Sequence, residues 1–387
     1  MFSSIKLTNF LSFGEASAEI PLGKLNVLVG TNGSGKSNLL EAFALLKATP
    51  TDLLSAFSDG SGIRDWLWKS GASALPVAEL EVVLNNSRDT DKLRYGLKFT
   101  EARQRFQLKD EILEYARAND GGSRPYFFYH FENGRGVINV KGSARRLQEE
   151  QIDLDQSILA QRKDPDSYPE LTRVGSDFGK IHLYRDWSFG RNTAPRIPQK
   201  ADLRNEYLSP QCENLVLVLN RLCGSPATKK VILDYLKQLY DGIDDISFQI
   251  EGGTVQLFLT EGLASIPATR LSDGTLRYLC LLAILCHPKP PPVVCIEEPE
   301  LGLHPDILPA IAKLLLSASE KCQIIVTTHS DSIIDALTER PEAVLVTEKR
   351  CGKTTISQLE TDKLKTWLET YRLGQLWTRG DIGGTRW

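Results

Sequence analysis

The stretch GTNGSGKSN, Gly30 to Asn38, places glycines, a lysine and a serine at the spacing of a phosphate-binding loop: Gly30, four residues, then Gly35, Lys36 and Ser37. Glycines let backbone N–H groups crowd around phosphate oxygens, and a helix N-terminus just behind them adds partial positive charge. Lys36 has the reach to meet β- and γ-phosphates, and the Ser37 hydroxyl suits Mg²⁺. Asn32, Gly33, Ser34 and Asn38 lie in or beside the same loop and are expected to contact the same nucleotide. A second group lies far along the chain. Glu297 and Glu298 end the apolar run VVCI, and His329 follows QIIVTT. Neighbouring side chains at a strand end point opposite ways, so one carboxylate could complete a Mg²⁺ shell while the other polarises water. Acids just before Pro299 also suit a helix start.

These groups need elements to hold them. LNVLV (Leu25 to Val29) reads as a buried strand and GKSNLLEAFALLKA as the helix after the loop, the context the motif requires. Val293 to His329 reads as strand, helix (Pro305 to Glu320) and strand. That is a βαβ crossover, which brings the acids and the histidine to one sheet edge, where parallel sheets bind ligands. Between the two groups, SDGT precedes the apolar run LRYLCLLAIL and offers a hydroxyl and open N–H groups at a helix start.

Taken together, GTNGSGKS, LSDGT, VVCIEEPELGLHP and VTTHS resemble, in order, the Walker A, signature, Walker B with D-loop, and switch-histidine motifs of ABC-type ATPase heads. The class is RecF/SMC-like, and the chain is most similar to its stand-alone ATPases without long coiled coils. The opening IKLTNFLSFGEASAEI is similar to the first strands of such heads. The resemblance implies an α/β P-loop NTPase fold, an ABC-ATPase head with a mixed β-sheet lobe and a helical signature lobe. It implies ATP and Mg²⁺ as ligands, with Lys36 and Ser37 on phosphate and metal. Glu297 would be the Walker B metal ligand, Glu298 the catalytic base and His329 the γ-phosphate contact. Ser272 and Gly274 would meet the γ-phosphate held by another copy, so that ATP joins a homodimer or higher homo-oligomer. The sequence departs from the pattern in three places. Glu297 stands for the usual Asp, Asp273 replaces a signature glycine and brings negative charge, and no Q-loop glutamine is evident, with Asp186 a weak substitute.

The expected organisation is a nucleotide-binding α/β lobe from 1–200 and 290–387, with a β-rich and helical insertion at about 75–180, and a helical signature lobe at 201–289. Inside the insertion, VAELEVVL, LRYGLKFT and QRFQLKDEILEYA alternate as strands, and PYFFYHFENGRGVINV predicts a hairpin about Asn133–Gly134. The polar stretch from Arg145 predicts helix up to Pro165, without the sustained heptads of a coiled coil. Lys36 and Ser272 are 236 residues apart, far more than in a compact transporter cassette. No Asn is followed by Lys, which removes the base-reading motif of a GTPase.

The 387 residues are 41% hydrophobic and 25% charged with a net charge of −3, so any nucleic-acid contact must be a local patch. The five basic and two acidic residues between Arg185 and Arg204 fit such a patch or, preferably, a solvated loop. Seven cysteines without metal-ligand spacing suit a reduced compartment, and no run is long enough to span a bilayer. A cytoplasmic protein is expected. The leading function is an ATPase whose dimerisation acts on DNA or a partner protein such as a nuclease, in DNA repair or anti-phage defence. The alternative is a nucleotide-gated scaffold with negligible turnover. The tail LGQLWTRGDIGGTRW, rich in glycine, reads as poor helix or strand, with tryptophans and arginines suited to an interface, preferably docking onto the chain's own head or a second copy, otherwise onto a separate partner.

Overall fold

The computed structural model describes residues 1–384 apart from 16, 59–61, 70–75, 86–90, 119–123, 133, 141–142 and 148–151. The chain forms two compact units, Met1–Ile181 with Leu345–Leu359 and Ile382–Arg386, and His182–Val344 with Glu360–Asp381.

The first unit opens with β1 (Phe2–Thr8), β2 (Ile20–Pro21) and β3 (Leu25–Val29), followed by α1 (Lys36–Ala48). All five residues of β3 are buried, as its unbroken apolar sequence predicts. Next come β4 (Ala78–Leu84), β5 (Leu93–Ala102), β6 (Arg105–Tyr115), β7 (Phe127–Glu132), β8 (Arg135–Val140) and β9 (Ser143–Leu147). They join β1 and β2 in an eight-stranded sheet of order β2-β1-β4-β5-β6-β7-β8-β9, antiparallel throughout. Strand β4 alternates strictly between buried and half-buried residues, the mark of a sheet with one covered face. The covered face is aromatic: Phe2 meets Phe43 of α1 edge-on at 5.4 Å, and Phe57 meets Trp66 at 5.0 Å.

The strands at 77–116 and the β7–β8 pair follow the sequence pattern, although Asn133 at the expected turn lies outside the described residues. The helix expected from Arg145 to Pro165 is not what forms. Ser143–Leu147 pairs residue for residue with β8, and among the described residues of this stretch the helix is reduced to α2 (Ile158–Gln161). Sheet pairing outweighs the weak helical preference of a polar segment. The buried Glu111 of β6 then fixes α2, its carboxylate accepting from Tyr95 Oη, Ser157 Oγ and the Ile158 N–H. Helix α3 (Pro169–Gly179) follows.

The second unit begins with β10 (Ile181–Tyr184) and β11 (Gln199–Lys200). The helices α4 (Leu215–Cys223) and α5 (Pro226–Leu239) lie within 201–289, the stretch expected to be helical. The segment is less helical than predicted, because β12 (Asp245–Glu251), β13 (Thr254–Glu261) and β14 (Ala264–Pro267) form an antiparallel sheet within it. Apolar alternation over Val255, Leu257 and Leu259, all buried, is the period-two signal the sequence reading passed over. Then come α6 (Asp273–Leu285), β15 (Val293–Glu297), α7 (Leu308–Ser319), β16 (Gln323–Thr327) and α8 (Asp331–Asp335). β15 and β16 are parallel, with Glu297 opposite Thr327, so the β15–α7–β16 crossover is as expected.

The chain returns to the first unit with β17 (Val344–Arg350) and β18 (Lys353–Gln358), a hairpin with β17 beside β3. In the second unit, α9 (Thr361–Leu368) is followed by α10 (Leu373–Thr378). Helix α10 corrects the reading of the tail as unfit for helix: Leu373 and Leu376 are fully buried, and Gly374 donates to Asp335 of α8 at 2.7 Å. A side chain at Gly374 would meet Asp331 O at 2.5 Å, so this glycine permits close packing. Arg386 and Trp387 lie outside the described residues.

Among the described residues the longest helix, α5, has 14 residues, and no helix is long and apolar enough to cross a membrane. The cysteines are free thiols; Cys280, Cys286, Cys295 and Cys322 are buried, as their apolar surroundings predict.

Candidate functional site

In the first unit, the loop from Gly30 joins β3 to α1. Gly33 and Gly35 have φ of 75° and 106°, the left-handed region that favours glycine. At Gly30 a Cβ would meet Thr347 O at 2.2 Å, and at Gly35 it would meet Thr354 Oγ1 at 2.2 Å. No side chain fits at either position. Around Gly33 nothing lies within 4 Å of that point, so its face of the loop is open. The Lys36 ammonium donates to Gly30 O at 2.9 Å and Thr31 O at 3.1 Å, which folds it across the loop. Ser34 is 1% exposed, and its hydroxyl has no hydrogen-bond partner among the described residues. A buried hydroxyl, an ammonium and left-handed glycines on one short loop suit a phosphate chain. Asn38 is held back from the loop by Ser12, its amide donating to Ser12 Oγ at 2.6 Å. Thr354 donates to Ser34 O at 2.7 Å and braces the loop from β18. Beside Asn38 a cleft of about 320 Å³ is lined by Ser12, Asp65, Leu67, Trp68 and Lys349.

In the second unit, Glu298 follows β15 directly. Its φ is 44°, strained for a residue with a side chain. The strain is held by two bonds from its N–H, to Thr327 O at 3.1 Å and Thr327 Oγ1 at 3.2 Å. Glu298 Oε1 lies 3.4 Å from His329 Nε2. The structure therefore brings this acid and this histidine together at the ends of β15 and β16, with both side chains about 30% exposed. Glu297, opposite Thr327, ends the strand itself.

At the start of α6, the Ser272 hydroxyl accepts from the Thr275 N–H at 3.0 Å and caps the helix. Gly274 sits against the turn after Glu298, since a Cβ there would meet Gly302 O at 2.9 Å. The charge of Asp273 is met by Arg196, which also donates to Leu271 O and to Phe189 O. Arg196 is 7% exposed, so one cation of the basic 185–204 segment is an internal brace.

Two side chains were missed in the sequence. Glu300 Oε1 accepts from Thr328 Oγ1 and from the His329 N–H, both at 2.7 Å, and burial raises its pKa. Arg277 donates to Glu298 O at 3.2 Å and lies over the Trp187 ring at 5.0 Å; burial lowers its pKa. A third acid within four residues was the available signal for Glu300. Nothing in an apolar helical run marks Arg277 except its being the one charge between Thr275 and Leu285.

Comparison with known proteins adds the following. The sequence model of the family described as "AAA domain, putative AbiEii toxin, Type IV TA system" matches residues 25–335. A relative named "ATP/GTP phosphatase", from Helicobacter pylori (strain ATCC 700392 / 26695), is 22% identical over 359 residues, 87% of each chain. An SmcHead bound to the C-winged helix domain of ScpA superposes with a TM-score of 0.56 at 20% identity, covering 94% of this chain and 99% of that one. An Smc head domain with an extended coiled coil, bound to the C-terminal domain of ScpA and derived from Pyrococcus furiosus, gives 0.55 at 18% identity, covering 95% and 98%. These likenesses show the fold to be that of a P-loop, SMC-type ATPase head.

Proposed function

We propose, from the premise that the chain belongs to the AAA-domain family of AbiEii type, that it hydrolyses ATP with Glu298 as general base. One observation carries the assignment: the Glu298 carboxylate stands 3.4 Å from the His329 ring, on a strained turn that bonds to β16. Strain of this kind persists only where the surroundings impose it, and it clusters at sites of chemistry.

In this reading, Gly30, Asn32, Gly33, Ser34, Gly35 and Lys36 bind the phosphate chain, with Asn38 beside it, and the cleft at Trp68 takes the base. Mg²⁺, for which Ser37 and Glu297 offer the oxygen donors it prefers, would neutralise charge on the β- and γ-phosphates when bound. Glu298 takes a proton from the attacking water. His329 donates to a γ-phosphate oxygen and aligns the Glu298 carboxylate. Lys36 leaves its loop carbonyls for the phosphates as they arrive.

The finer reading is that ATP joins two copies through Ser272 and Gly274 at the start of α6, and that hydrolysis parts them. The output would act on a partner protein. Support comes from the Smc heads of the same fold, which are bound to ScpA domains, and from the toxin–antitoxin description of the family, which favours a defence setting over DNA repair. A nuclease effector or DNA would be the target of that output. Turnover by Glu298→Gln tests the core of the reading. Hydrolysis should slow by about 10²-fold or more, as for a lost general base, while ATP still binds. An undiminished rate removes Glu298 from the chemistry.

A further inference from the structure

We propose that Glu300 is a positioning residue for hydrolysis: one of its carboxylate oxygens sets where the His329 ring stands against Glu298. This rests on the assignment of Glu298 and His329 just made. Glu300 Oε1 receives both the Thr328 hydroxyl and the His329 N–H at 2.7 Å. The Thr328 hydroxyl in turn accepts from the Ser330 N–H at 3.0 Å. A single oxygen thus orders three consecutive residues at the end of β16, with the histidine in the middle. The acid is held with equal economy. Glu298 N–H is tied to Thr327, and Glu298 O receives the Arg277 guanidinium at 3.2 Å. The turn runs on from Glu298 to Glu300, with Leu301 N–H bonded to Glu298 O at 3.2 Å. The backbones of base and histidine are therefore stitched to one short turn, and the 3.4 Å approach of their side chains follows from it.

Stability alone does not account for Glu300. Its second oxygen, Oε2, is buried without a hydrogen-bond partner among the described residues, and so is Arg277 Nε. A buried carboxylate with half its acceptor capacity unused is a poor device for holding a fold together. What the glutamate adds is an acceptor oxygen on a side chain long enough to meet both the Thr328 hydroxyl and the His329 N–H. Displacement of a reacting group by about 1 Å can cost on the order of 10²-fold in rate, so a brace on His329 has a large lever.

The test uses steady-state ATP hydrolysis by the full chain, with kcat and KM separated. Glu300→Ala should lower kcat on the order of ten- to a hundredfold with little change in KM, the signature of lost transition-state geometry. Glu300→Gln keeps the chain length and an acceptor oxygen, and should recover most of the rate. On a His329→Ala background, Glu300→Ala should cost nothing more, because the group it positions is gone. Equal losses on both backgrounds, or a Glu300→Gln variant as slow as Glu300→Ala, would overturn the proposal. Should Glu300→Ala fail to fold, Glu300→Asp, which withdraws the oxygen by one methylene, replaces it with the same expectations. If His329→Ala turns over like the wild type, the assignment of His329 falls and this inference with it. If His329→Ala is slow and Glu300→Ala is not, only this inference falls.

Discussion

At the scale of single residues, two unusual side-chain environments matter most for the chemistry and the stability of the chain. One is the turn that carries Glu298 and Glu300. The other is Glu111, whose fully buried carboxyl is pushed by desolvation up to about 7, against the pull of the Ser157, Ile158 and Tyr95 donors. The folded chain therefore holds a proton on Glu111 at pH values where the unfolded chain has lost it. Below the ordinary carboxylate range both states are protonated and the group is neutral to stability. As pH rises towards 7 the folded state must give up a proton in a dry site, and stability declines. The wild type should thus gain melting temperature over Glu111→Gln by a few degrees as pH falls from 8 to 5, measured by calorimetry on both proteins. A constant difference across that range would place the Glu111 carboxyl at an ordinary pKa. No sequence pattern announced this residue. It sits in a strand with alternating character, and only the fold puts Tyr95 and Ser157 against it.

At the scale of elements, the most legible parts were those whose neighbours in sequence are also their partners in space. The loop from Gly30 to Ser37 is enclosed by the strand before it and the helix after it, so its glycine and lysine spacing was sufficient. β15, α7 and β16 were readable because a crossover is a local unit. An element decided at long range was not: α10 forms because α8 offers a surface for Leu373 and Leu376. β9 was hidden for another reason: it pairs with its neighbour β8, but its polar, mostly exposed sequence carries no apolar alternation. Both kinds can be tested. Gly35→Ala, with φ of 106° and Thr354 Oγ1 in the way of the new methyl, should abolish nucleotide binding in calorimetry while the thermal transition survives. Binding at wild-type strength would show that the loop tolerates another shape. Leu376→Ala, at a fully buried site, should cost about 2–5 kcal/mol, seen as a lowered denaturation midpoint. A midpoint within error of wild type would mean that α10 is only loosely held.

At the scale of the whole molecule, the proposed output depends on a second copy. The start of α6 already satisfies itself, with Ser272 on Thr275 and Asp273 on Arg196, so any contact with a neighbour's nucleotide must be made over that cap. Ser272→Arg should leave ATP binding by one chain intact and block ATP-dependent pairing of Glu298→Gln chains in sedimentation. Pairing that persists would move the interface away from Ser272. Within the first unit, the loop that begins at Gly30 is braced by Thr354, which lies 320 residues after Ser34. A ribosome adding roughly 5–20 residues per second takes about 16–64 s to travel between them. Through that interval the nascent chain carries a complete Walker sequence without its brace. A polypeptide released early, by a premature stop codon or a cleaved message, would then hold the lysine and serine but not the clamp that shapes the loop. Competence to take up nucleotide is in this sense conditional on synthesis having passed Thr354.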